Sequence, residues 1–279
     1  MFGTFCCYSR DPHADLSSFN VEAMSHFAWL IGQLLETRVL QERAHQRIVA
    51  RHHAVLAGGH VHMLYQPVID VDRQRVVGYE ALARFSAEPA RSPDLWFGEA
   101  HTVELGARLE MLAVEKAIEG LDRIAPDAYL ALNVPPQTIA CGALEAGLAA
   151  APLERLVLEV TEHSSIGDYG MIGEALAPLR KRGLRLAVDD AGSGYASFRH
   201  ILKLKPDVIK LDQSLIRDID HDPAGRALAA ALITFARETG SAVVAEGVET
   251  DAELATLRAL GVHTAQGYLL GRPAALPTR

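Results

Sequence analysis

Strand-like and helix-like segments alternate from residue 62 onward, and this alternation limits the fold more than any other feature of the chain. The strand-like runs are 62–69, 76–84, 128–133, 155–160, 184–189, 207–211, 241–246 and 262–266. Helical patterns occupy 95–121, 171–182, 195–202, 224–239 and 251–260. Such alternation favours β-α-β units and a mainly parallel sheet. Eight strands in about 220 residues fit a closed (β/α)8 barrel of the TIM type. One link breaks the pattern. Only residues 70–75 join the first two runs, and a parallel crossover needs about a dozen residues. The two are therefore expected to be antiparallel, giving an α/β barrel with one antiparallel strand. The reversed strand is taken to be the second, which carries Glu80.

Upstream lies a segment almost free of Gly and Pro. Met24, Phe27, Ile31 and Leu34 recur at helical spacing, so a long helix is expected over 20–56, ended by Gly58-Gly59. The expected divisions are an N-terminal remnant at 1–19, a linker or signalling helix at 20–57 and the barrel at 58–279. With 27 basic and 35 acidic residues the formal net charge is −8. That argues against a broad basic surface for duplex nucleic acid or an anionic membrane. Bound cations can still invert the local field and admit a phosphorylated ligand. Cys6, Cys7 and Cys141 form no CxxC, so neither a disulfide framework nor a thiolate zinc site is supported. Residues 1–10 lack the pattern of a signal peptide. The apolar stretch 27–35, broken by Gly32 and Gln33, is too short for membrane insertion. A soluble, cytoplasmic protein is expected.

Barrel enzymes carry their chemistry at the C-terminal ends of the parallel strands. Here those ends present Asn133, Glu159, the pair Asp189-Asp190, Lys210 with Asp212, Glu246 and Gln266, and Glu80 can join them from the second strand. Carboxylates converging on one rim repel unless they are paired or bind metal. Asp, Glu and Asn oxygens suit Mg²⁺, Mn²⁺ and Ca²⁺. Lys210 is the well-placed cation from the protein itself, a compact ammonium able to hold water or phosphate. Taken singly, an Asp at a strand end is a helix cap and Glu-Ala-Leu is a common tripeptide. The weight rests on their coincidence at successive strand ends.

Residues 62–279 resemble the EAL-domain family of cyclic di-GMP phosphodiesterases. The resemblance is carried by Tyr65-Gln66-Pro67-Val68, Glu80-Ala81-Leu82-Ala83-Arg84, Asn133 and Leu158-Glu159-Val160-Thr161-Glu162. Further along it is carried by Asp189-Asp190 with Gly192-Ser193-Gly194-Tyr195, Ile209-Lys210-Leu211-Asp212, Ala245-Glu246-Gly247-Val248-Glu249 and Gln266-Gly267-Tyr268. It implies a barrel with a reversed strand and Mg²⁺- or Mn²⁺-dependent opening of cyclic di-GMP to linear pGpG. Glu80, Asn133, Glu159, Asp189, Asp190 and Glu246 resemble the ligands of two ions. Lys210 resembles the residue that orients or deprotonates the attacking water, with Glu246 and Glu80 beside it. Gln66, Leu82, Arg84, Asp212 and Gln266 resemble substrate contacts, Arg84 to a phosphate. Glu162 resembles an anchor for the loop 191–197, which the family links to dimerisation, so a homodimer is expected.

Two positions depart from the family pattern. Ala191 stands where Phe is usual, and Glu110 where Leu-Asp often occurs. Neither removes a metal ligand; a receptor that binds without cutting is the alternative that a defective loop would produce. Residues 3–7 and the segment after them resemble the end of a GAF sensory domain, which implies an upstream sensor; in a further reading, the helix over 20–56 is a dimerising signal transmitter.

Overall fold

The computed structural model describes residues 18–160, 168–192 and 196–277. The chain divides into two compact units, Met1–Ala54 and Val55–Arg279. Helix α1 (Ser18–Ala57) matches the expected long helix. Its apolar side chains include Phe27, Trp29 and Leu34, each more than half exposed. Among the described residues no helix is long and apolar enough to cross a membrane. The expected sensory remnant at 1–19 falls almost wholly outside the described residues.

The second unit is a closed barrel in which eight strands pair in chain order. They are β1 (Val61–Asp70), β2 (Arg75–Phe85), β3 (Tyr129–Asn133), β4 (Leu156–Val160), β5 (Arg185–Ala191), β6 (Val208–Leu211), β7 (Ala242–Ala245) and β8 (Thr264–Ala265). β1 is antiparallel to both β2 and β8, whereas β2 is parallel to β3 and every later neighbouring pair is parallel. The reversed strand is therefore β1, not the second strand as expected. A short link shows only that two strands oppose each other. The helical crossover between β2 and β3 decides which one runs with the rest.

That crossover is two helices, α2 (Pro93–Thr102) and α3 (Gly106–Ile118), where the sequence pattern suggested one. Glu104 adopts φ 59° just past the end of α2, and the Leu105 N–H turns back to Ala100 O at 2.9 Å. Short helices α4 (Pro136–Ala140) and α5 (Ala143–Gly147) cover the next link. They are followed by α6 (Tyr169–Lys181), α7 (Ala196–Leu204), α8 (Gln213–Ile216), α9 (Pro223–Thr239) and α10 (Asp251–Ala259).

The two-residue alternation of strands divides the side chains cleanly. Leu130, Leu132, Leu156, Leu158, Leu186, Ile209 and Leu211 face the helical shell. Val68, Ala131, Val157, Ala187, Val208 and Val244 fill the barrel interior as a separate apolar layer. Below it the Tyr129 ring lies 4.8 Å from the Arg185 guanidinium. Gly78 makes room for that ring: a Cβ there would meet Tyr129 at 2.5 Å. Two residues beyond each inner apolar side chain of β3 to β7, on the same face, stands a polar one. Asn133 follows Ala131, Glu159 follows Val157, Asp189 follows Ala187, Lys210 follows Val208 and Glu246 follows Val244. The apolar layer is thus the floor of the polar rim.

Helix α10 shows how local rules hold this frame. Thr250 caps it, and Glu253 completes a capping box. The Glu253 carboxylate accepts the N–H groups of Glu249 (2.9 Å), Thr250 (3.0 Å) and Asp218 (3.2 Å), tying the β7–α10 loop to the turn after α8. Burial acts to raise the pKa of Glu253, but these N–H donors outweigh it and hold the pKa below the usual carboxylate value. Its stabilisation is therefore present above the unfolded pKa of about 4.3 and lost as pH falls through the depressed folded value. Glu253→Ala is expected to cost about 2 kcal/mol at pH 7. The cost should shrink below pH ~4, as denaturant titrations at both pH values will read. An equal loss at both would show that charge plays no part.

Candidate active site

The rim gathers its charged groups around Lys210, which is 2% exposed. Lys210 Nζ lies 2.6 Å from Glu246 Oε1, 2.7 Å from Glu159 Oε2, 3.2 Å from Asp189 Oδ1 and 3.7 Å from Glu80 Oε2. Parallel register accounts for the gathering. Asn133 pairs with Glu159 across β3 and β4, and Lys210 pairs with Val244, two residues before Glu246.

The electrostatics follow from one cation among several acids in a dry setting. Burial alone would lower the pKa of Lys210, but Asp189, Glu159, Glu246 and Glu80 together hold it well above the ordinary lysine value. Burial pushes Glu159 and Glu246 well up, and neighbouring carboxylates add to this against the pull of Lys210. Glu80 goes the other way. Burial acts to raise it, yet Lys210 and hydrogen bonds from Gln266 and Asn133 bring it below the usual value. The acids at one rim are thus unequal. Glu80 is drawn below the usual carboxylate pKa, while Glu159 and Glu246 are pushed above it.

Glu80 is also the centre of a polar chain that crosses the sequence. Asn133 Nδ2 donates to its Oε1 at 2.8 Å, and Gln266 Nε2 donates to its Oε2 at 2.7 Å. Gln266 Nε2 also donates to Gln66 Oε1 at 3.0 Å, and Gln66 Nε2 donates to Gly271 O at 3.1 Å. Asp190, with φ 58°, lies in the irregular part of β5 between Val188 and Ala191, beside Asp189. Oxygens of Asp189, Asp190 and Glu246 lie within 4.8 Å of one another. Together with Glu80, Asn133 and Glu159 they offer hard oxygen donors in excess of the one lysine, which suits divalent cations of the Mg²⁺ and Mn²⁺ kind.

A cavity of about 270 Å³ opens above this group, lined by Gln66, Glu80, Asp190, Asp212, Glu246 and Gln266 among others. Asp212 has a second task there: it caps α8 by accepting from the Ser214 N–H at 2.9 Å. Leu82 and Arg84 do not line this cavity. They border a second one of about 420 Å³ together with Asn133 and Phe97. Asn133 of the second lining is hydrogen-bonded to Glu80 of the first, and the Arg84 guanidinium donates to Ala83 O at 2.8 Å. Glu162 lies outside the described residues, as do residues 193–195 of the loop it was expected to anchor. Ala191 is fully buried at the end of β5, where its carbonyl accepts the Asp212 N–H at 3.1 Å. Sequence reasoning gave no role to Tyr268 or Gln213, both of which border the first cavity. Tyr268 belongs to the Gln-Gly-Tyr run, which was the available signal.

Residues 49–273 match the model of the EAL domain. The chain belongs to the EAL domain family. It is 33% identical over 250 residues to a cyclic di-GMP phosphodiesterase of Pseudomonas aeruginosa, covering 84% of this chain and 42% of that protein. It is 30% identical over 230 residues to the probable cyclic di-GMP phosphodiesterase PdeD of Escherichia coli K12, covering 78% of this chain and 42% of the relative. The chain thus spans less than half the length of these relatives. Among solved structures it resembles the manganese and cyclic di-GMP complex of Klebsiella pneumoniae BlrP1, with TM-score 0.70 and 31% identity over 79% of this chain and 57% of that one. It also resembles the MucR phosphodiesterase in complex with cyclic di-GMP, with TM-score 0.72 and 26% identity over 82% of this chain and 97% of that one. The closed barrel of this EAL domain is the architecture that the resemblance implied.

Proposed function

We propose that this EAL domain hydrolyses one phosphodiester of cyclic di-GMP to give linear pGpG, using two Mg²⁺ or Mn²⁺ ions. The observation that carries the proposal is the ring of Glu80, Glu159, Asp189 and Glu246 drawn onto Lys210 at the mouth of an open cavity. Glu80, Asn133, Glu159, Asp189, Asp190 and Glu246 would hold the ions. When bound, such ions lower the pKa of coordinated water and neutralise charge on the phosphate oxygens. Lys210, kept charged by its carboxylate neighbours, would hold the attacking water by donating to it. That favours an orienting role over deprotonation. Glu246, at 2.6 Å, would fix the ammonium in place. The water oxygen forms a bond to phosphorus as the phosphorus–O3′ bond breaks. The 3′ oxygen leaves with a proton, and the phosphate remains on the 5′ side. Gln66, Gln266 and Asp212 would contact substrate from the first cavity, and Leu82 and Arg84 from the second. Each half of a cyclic dinucleotide then has its own recess.

Incubation with cyclic di-GMP and Mg²⁺ or Mn²⁺, followed by chromatography, is expected to yield pGpG. Calcium alone is expected to support no turnover, because its longer and looser coordination suits in-line activation of water poorly. Tight nucleotide binding with no product in either metal would mark a receptor and overturn the hydrolytic reading. A homodimer with an upstream sensory domain belongs to the same proposal, supported by the exposed Phe27, Trp29 and Leu34 of α1. Sedimentation as a strict monomer at all concentrations would count against it.

A further inference from the structure

Behind the rim lies a buried acid that the proposed chemistry does not use. Glu110, on α3, is 4% exposed. His101 Nε2, at the end of α2, lies 2.6 Å from its Oε1, and Thr138 Oγ1, on α4, donates to its Oε2. Three helices therefore converge on one carboxylate. The contact with His101 depends on Gly106, since a Cβ there would stand 2.4 Å from the imidazole ring.

What Thr138 anchors is the turn that carries Asn133. Thr138 is 1% exposed, and its N–H donates to Pro135 O at 3.0 Å. The Val134 N–H donates to Glu159 O at 3.1 Å. The segment from Asn133 to Thr138 is thus pinned at one end to β4 and at the other to Glu110. A small cavity of about 150 Å³ is bordered by Glu110, Asn133, Val134, Pro135 and Glu159, so the clamp stands directly behind two rim side chains. Asn133 spends its Nδ2 on Glu80 and is the last residue of β3.

We propose that Glu110, held by His101 and Thr138, is a positioning residue that fixes Asn133 for cation binding. This rests on the metal-dependent reading above. Residues behind a metal ligand set its orientation, and their loss typically costs about 10–100-fold in metal affinity.

The test uses the whole chain and Mn²⁺ as probe, read by calorimetry, with thermal unfolding alongside. Thr138→Val removes the hydroxyl at similar volume, and Thr138→Ser retains it. Thr138→Val is expected to weaken Mn²⁺ binding about tenfold, with kcat at saturating Mn²⁺ and KM for cyclic di-GMP within about twofold of the parent. Thr138→Ser is expected to bind Mn²⁺ like the parent. Equal affinity in Thr138→Val and the parent, or equal loss in Val and Ser variants, overturns the proposal. Should Thr138→Val fail to fold, His101→Ala carries the same test from the half-exposed side of the cluster: about tenfold weaker Mn²⁺ binding supports the clamp, and unchanged binding overturns it. A parent chain that binds no Mn²⁺ would instead overturn the metal-dependent reading, so the two failures are distinguishable.

Discussion

Lys210→Ala is expected to lower turnover of cyclic di-GMP by on the order of a thousandfold, the upper range for loss of one preorganised hydrogen-bond donor. Substrate binding should fall much less, because Gln66, Gln266 and Asp212 remain in the cavity. A second effect follows from burial. Lys210 neutralises carboxylates at 2.6, 2.7 and 3.2 Å in an interior that gives them little water. Removing one member of such a set leaves uncompensated buried charge, at a cost of about 3–5 kcal/mol. Added Mn²⁺ should recover part of this stability without restoring turnover, since divalent charge can replace the ammonium's charge but not its hydrogen bond to water. Single-turnover assays and denaturant titrations with and without Mn²⁺ check both parts. Full turnover by a folded Lys210→Ala variant would remove Lys210 from the mechanism.

The second large effect is expected from Gly267→Ala, a change of one methyl group. A Cβ at residue 267 would lie 2.1 Å from the Val248 carbonyl oxygen and 2.2 Å from the Val248 nitrogen. Both are backbone atoms, which no rotamer change can move aside. The Val248 N–H donates to Gln266 O at 3.1 Å, and Val248 O accepts the Leu269 N–H at 3.1 Å, so the methyl would separate two loops joined on both sides. One loop carries Glu246 and the other Gln266. We expect a loss of about 3 kcal/mol, at the upper end for overpacking. In the folded fraction activity should fall, because Gln266 retreats from Glu80. Gln266→Ala separates the causes: it should lower activity with a much smaller loss of stability. Unaltered stability of Gly267→Ala would mean that the loops part freely.

Much of the barrel was legible because its signals are local. The alternating runs placed every strand within a few residues, and the short 70–75 link exposed the antiparallel pair. Deciding which of that pair was reversed needed the β2–β3 crossover, whose two helices read as one. Their break rests on a positive φ at Glu104, a residue that is neither Gly nor Pro. The site divides the same way. Glu159, Asp189, Lys210 and Glu246 were legible as strand ends, each two residues after a small or branched apolar residue. The clamp of His101, Glu110 and Thr138 was not, because its partners come from three helices and carry no spacing signature. The contact between Gln66 and Gln266 joins opposite ends of the barrel sequence, and only closure brings the two together.

The reversal of β1 also determines where the polypeptide joins the barrel. In eight parallel strands the chain would enter through the base, with the apolar layer between the entrance and the chemistry. Here Val61 pairs with Phe85 at the rim, and Asp70 pairs with Arg75 at the base. The entrance and the substrate mouth therefore share one face. A single continuous strand leads from Val61 to Gln66, and side-chain hydrogen bonds continue from there through Gln266 to Glu80. The inverted strand makes the doorstep of the domain part of its working edge.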